Sequence, residues 1–164
     1  MEERETKALS PEAEQFIEDM GIRYEEEGFP PMAGRLAGWL LICDPPHQTA
    51  GELAEVLGAS PGSISNMTRL LIQCGMVERI GVPGQRLASF GIKTGAAAEV
   101  MSTYLEKTRA MRELLERGLR IVRNKGESVQ TRLRDQRDFH VFIERELPPL
   151  LEKWRREHRE AGRP

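Results

Sequence analysis

A mainly α-helical chain with one small β-wing is the fold class this sequence predicts, and three observations predict it. Apolar residues recur at three- and four-residue spacing along most of the 164 positions, which is the period of a helix with one buried face. One stretch, Ile80 to Ile92, instead alternates apolar and polar residues about a Pro83-Gly84 pair, as two strands and a tight turn do. Ahead of that hairpin, Thr49 and Ser60 have the chemistry of helix starts, and Gly58 and Gly75 that of helix stops.

The N-terminal ten residues read as charged and frayed. Pro11 to about Glu27 then reads as an amphipathic helix, with Ala13, Phe16, Ile17, Met20 and Tyr24 on one face and Gly28 closing it. Pro30-Pro31 opens the next helix, Met32 to Cys43, whose Met32, Leu36, Trp39, Leu40 and Cys43 face a core. Gly34 and Gly38, four apart, allow a neighbouring helix to approach closely. Asp44-Pro45-Pro46 breaks the helix, and His47-Gln48 leads on as a candidate short third strand of the wing sheet.

Thr49 and Glu52 have capping-box spacing, and Leu53, Ala54 and Leu57 mark one apolar face before Gly58. Ser60 is a good N-cap, with Pro61 at the first helical position, where its missing N–H costs nothing. Ile64, Met67, Thr68 and Leu71 recur at helical spacing, and Gly75 is the stop. The opposite face holds Gly62, Ser63, Ser65, Asn66 and Arg69, with no acidic residue to repel a phosphate. The hairpin from Met76 to Ile92 follows, with Ala88, Phe90 and Ile92 alternating on its return and Gln85 and Arg86 near its tip. Helix, turn, helix and hairpin in that order are a winged helix-turn-helix, which places its second helix in the major groove of DNA.

Beyond the wing, Gly95 to about Arg123 is expected to be one long helix with a near-heptad stripe of Met101, Tyr104, Thr108, Met111, Leu115 and Val122. A further helix is expected from Val129 to Glu146, with Leu133, Phe139, Phe142 and Ile143 inward and Pro148 as an interruption. Leu150, Leu151 and Trp154 resume the stripe. A small winged domain cannot cover both stripes, so pairing with a second chain is the economical solution. The division expected is 1–29 for an N-terminal packing or dimer helix, 30–93 for the DNA-binding module, and 94–164 for long C-terminal dimerisation helices.

Charge is distributed unevenly within a formal net of -2. Residues 1–30 hold ten acidic and three basic side chains, 49–93 carry a net of +1, and 94–164 a net of +4. The reading module is thus weakly basic, and a single copy is expected to bind DNA modestly and with strong salt dependence. No apolar run approaches membrane-spanning length and the acidic N-terminus is unlike a signal peptide, so a cytoplasmic protein is expected. Cys43 and Cys74 read as reduced core thiols, and the scattered His47, His140 and His158 suggest no metal site. There is no phosphate-binding glycine loop or nucleophile elbow, so neither an enzyme nor a cofactor is expected.

With these residues in view, the chain resembles the MarR-type winged-helix transcriptional regulators, and within them the GbsR-like branch. The segments that carry the resemblance are GFPPMAGRLAGWLLICDPP, ELAEVLGASPGSIS, LLIQCGMVERI and RDFHVFIERELPPLLEKW. The resemblance implies a homodimer on a palindromic operator, often a repressor released by a small ligand. It also implies that Ser63, Ser65, Asn66 and Arg69 face the groove and that Arg86 is the wing arginine. The aspartate that commonly precedes that arginine by two residues is absent, since Gly84 and Gln85 occupy the approach. GbsR-like relatives include sensors of choline-type compounds, and Tyr24, Phe29 and Trp39 are candidates for the aromatic pocket such a ligand would need. A winged-helix module that binds protein rather than DNA is the competing expectation.

Overall fold

The computed structural model describes residues 9–84 and 86–161, with side chains described through residue 158. Its element order is α1 (Pro11–Glu26), α2 (Pro31–Ile42), β1 (Gln48–Thr49), α3 (Ala50–Val56), α4 (Pro61–Gln73), β2 (Val77–Ile80), β3 (Ser89–Ile92), α5 (Ala96–Ile121) and α6 (Glu127–Ala161). This is the expected mainly helical chain with a small wing. The chain forms two compact units, Met1–Ala96 and Ala97–Pro164.

In the first unit, local chemistry fixes each helix end. Ser10, Thr49 and Ser60 accept backbone hydrogen bonds as N-caps of α1, α3 and α4, and Thr49 with Glu52 completes a capping box. After α3 and α4 the chain turns through Gly58 (φ 58°) and Gly75 (φ 78°). The following residues reach back, Ala59 N to Ala54 O at 3.0 Å and Met76 N to Leu71 O at 3.0 Å, which is Schellman closure.

The core is built on α2, whose Ala33, Leu36, Ala37, Leu40 and Cys43 are buried with Leu53, Ile64, Leu71 and Val77. The small residues of α2 also let α1 sit against its backbone. A Cβ added at Gly34 would overlap the carbonyl of Met20, and one at Gly38 would lie 3.0 Å from the Met20 Cβ. The sheet is antiparallel with order β1-β3-β2, pairing Thr49 with Ser89 and Ile80 with Ser89. The central strand β3 lays Phe90 and Ile92 on the core while Ser89 and Gly91 are buried.

The second unit is an antiparallel hairpin of α5 and α6. Ser102 accepts from Arg155 at 2.8 Å, Arg112 donates to Glu144 at 2.7 Å and to Glu116 at 2.9 Å, and Leu133 lies over Gly118. The two carboxylates hold the Arg112 guanidinium above its ordinary pKa, Glu116 more than Glu144.

Two expectations fail in α6. The helix does not stop near Glu146 but continues through Pro148 and Pro149 to Ala161. Each proline removes one backbone donor, which is a local cost that the rest of a 35-residue helix outlasts. Phe139 and Phe142 do not face inward: they are 54% and 49% exposed. The inward positions are taken instead by Leu133, His140, Glu144, Leu147 and Leu151, at alternating spacings of three, four and seven.

Candidate nucleic-acid interface

Thr68 is the residue that orients α4. It is buried, and its hydroxyl donates to the carbonyls of Ile64 (2.8 Å) and Ser65 (3.1 Å), so a polar side chain lies on the inner face without an unmet hydrogen bond. With Ile64, Thr68 and Leu71 inward, the opposite face is forced outward. Ser60, Pro61, Gly62, Ser65, Asn66 and Arg69 are exposed and Ser63 is half-buried.

The helix start is preorganised for an anion. Ser60 Oγ accepts from the Ser63 N–H at 3.2 Å, and the first turn carries no acidic residue. Gln73, exposed on the same stripe one turn beyond Arg69, extends the polar face and was not among the sequence candidates. Its spacing of seven from Asn66 was the signal available to find it.

On the wing, Pro83 and Gly84 form the turn, and Gly84 has the positive φ of 83° that a type II turn needs. Arg86 is exposed beside it, and Gln85 lies outside the described residues. Arg79 is exposed on β2, opposite Phe90. Among the described residues Arg69, Arg79 and Arg86 make no ion pair, so three guanidinium groups on this module stay available to phosphate.

The aromatic candidates are partly gathered. The Tyr24 and Phe29 rings lie 5.8 Å apart at 56°, and the Tyr24 hydroxyl donates to Met76 Sδ at 2.8 Å. Burial pushes the Tyr24 phenol above its usual pKa, helped by Glu27 and Cys74. Trp39 packs against the core, makes no ring pair with either, and buries its Nε1 without a partner among the described residues. Cys43 is buried and Cys74 half-buried, both free. Among the described residues no three His, Cys, Asp or Glu side chains converge as metal ligands, and no helix is long and apolar enough to cross a membrane.

Comparison with known proteins places this geometry. The profile of the MmpR5-like MarR family of transcriptional regulators matches residues 95–157, the α5–α6 hairpin. The HTH-type transcriptional regulator MmpR5 of Mycobacterium tuberculosis is 35% identical over 144 residues, covering 88% of this chain and 87% of that protein. A crystal structure of a transcriptional regulator, 35% identical, superposes with a TM-score of 0.85 over 89% of this chain and 99% of that one.

Proposed function

This chain belongs to the MarR family of winged-helix transcriptional regulators, as an MmpR5-like member, and from that premise we propose that it is a sequence-specific, ligand-responsive repressor acting as a homodimer on a palindromic operator. The observation that carries the reading is the outer face of α4: polar, free of acid, capped by Ser60 and ending in the unpaired Arg69 and the exposed Gln73. Asn66 suits bidentate contact with adenine, and Arg69 suits guanine or a phosphate. Ser60, Pro61, Gly62, Ser63 and Ser65 bring backbone close to the duplex, while Arg86, with Gln85 beside it in sequence, reaches the adjoining groove or backbone.

Residues 30–93 serve as the reading module, with 1–29 and 94–164 as the means of pairing two copies. Met101, Tyr104, Met111 and Leu114 on α5, and Phe139, Phe142, Leu150 and Trp154 on α6, are 40–63% exposed in the single chain, an apolar surface that a second copy would cover. A two-fold pair presents two α4 helices about 34–36 Å apart, one turn of DNA. The GFPPMAGRLAGWLLICDPP segment supports a finer place near the GbsR-like branch. A small effector at Tyr24, Phe29 and Trp39 and a cytoplasmic location complete the proposal.

Fluorescence anisotropy with promoter-proximal duplex tests it. Affinity should be sequence-dependent and fall steeply between low and moderate salt. No binding, or binding indifferent to salt, would favour a protein-interaction module instead, a reading that the weak net charge of +1 on residues 49–93 supports. A thermal-shift screen of small cations and osmolytes tests the effector, because a ligand of the folded form raises the melting temperature.

A further inference from the structure

The most concentrated charge in the chain lies at the α5–α6 turn, outside the reading module. Residues 117–134 contain six cations, Arg117, Arg120, Arg123, Lys125, Arg132 and Arg134, against the lone acid Glu127. All six are exposed, and among the described residues none makes an ion pair. The turn that carries them is held in place. Gln130 Nε2 donates to the carbonyls of Arg123 (3.1 Å) and Lys125 (2.9 Å), and Lys125 N donates to Val122 O at 2.8 Å. Arg134 meets only the neutral Gln130 amide, at 2.6 Å. Amid these cations stands Ile121, 79% exposed.

A surface of the opposite kind lies on α1. Its outward face carries Glu18, Asp19, Glu25 and Glu26 around Ile22, which is 56% exposed. Glu18 pairs with Arg35 and Glu26 with Arg23, while Glu12, Glu14 and Glu25 have no cation partner among the described residues. The first thirty residues together hold ten acids and three bases. A basic surface with a central isoleucine and an acidic surface with a central isoleucine are complementary in charge and in apolar contact.

We propose that the basic α5–α6 turn of one chain receives the acidic α1 of a second copy. This rests on the homodimer proposed above and adds what sets its orientation. A two-fold axis makes the contact twice, so its electrostatic share doubles while the stoichiometry stays closed. A nucleic-acid duplex would also be drawn to six cations. The acidic helix is favoured because it accompanies every copy, is equally exposed, and repeats the same apolar centre.

The test is a charge swap read by sedimentation velocity on the full chain. R120E/R123E/R132E alters only the turn and E14K/D19K/E25K only α1, all at exposed positions, and circular dichroism checks that each variant keeps its helices. Each alone should raise the dimer dissociation constant by about tenfold or more, since like charges then face each other. Mixing the two variants in equal amounts should restore wild-type affinity, because both contacts of the mixed dimer become complementary. If both variants pair as tightly as wild type, or the mixture is no better than either alone, the proposal is overturned and the dimer stands. If wild type is monomeric at every salt concentration, the dimer fails first. Loss of DNA binding by a turn variant that still dimerises normally would assign the cations to nucleic acid and overturn the proposal.

Discussion

Gly34 and Arg69 mark the two extremes of what one side chain does here. Gly34 is fixed by contact, since any Cβ would overlap the Met20 carbonyl. Gly34→Ala should therefore destabilise the chain by about 1–3 kcal/mol, seen as a lower urea midpoint with an unchanged slope. Arg69 is fixed by nothing inside the chain. Arg69→Ala should leave the melting temperature alone and cost about 1–3 kcal/mol of operator affinity if it reads a base. An equal loss on random duplex would make it a phosphate contact. Cys43 offers a chemical check: burial pushes its thiol pKa up, so at mildly alkaline pH it stays the unreactive thiol. A thiol reagent should modify the half-buried Cys74 well before Cys43. Because the folded form holds the Cys43 proton more tightly, this group's contribution to stability is full below the ordinary thiol pKa. It is lost as pH rises through the raised value.

At the scale of the element, helix ends were legible in the sequence and helix faces less so. A cap is a local event: Thr49 and Glu52 satisfy each other across three residues, and Gly58 and Gly75 are needed where φ turns positive. Thr49→Ala should cost about 1 kcal/mol in a thermal or urea melt. A face is decided by what lies across from it, which the periodicity of one helix cannot contain. Hence the sequence put Phe139 and Phe142 inward, whereas α6 turns Leu133, Glu144 and Leu151 toward the hairpin seam and leaves the phenylalanines outside. The prolines misled for a related reason. Pro148 and Pro149 were read as a break, yet they are a small fraction of the hydrogen bonds in a 35-residue helix. Thr68 was read correctly as an inner residue, but the two carbonyls that make its burial tolerable are visible only in the fold.

For the molecule as a whole, composition pointed to helices and charge pointed away from a simple DNA-binding surface. Both are features of this fold: a weakly basic winged module and a hairpin whose cations gather at its turn. The apolar surface on α5 and α6 makes association concentration-dependent. Sedimentation should show a dimer at micromolar concentrations, and Phe142→Glu should shift it toward monomer while helical content holds. A dimer that ignored this change would place the interface elsewhere.

The contact at Gly34 has a mechanical result. With main chain against main chain, no flexible side chain remains between the first two helices to absorb a displacement. A push on either is passed on undamped, as through a bolted joint. The second helix carries most of the core and ends next to the strand that starts the reading module. The two helices therefore work as one lever, and widening that joint by a single methyl group would shift its far end as well as its pivot.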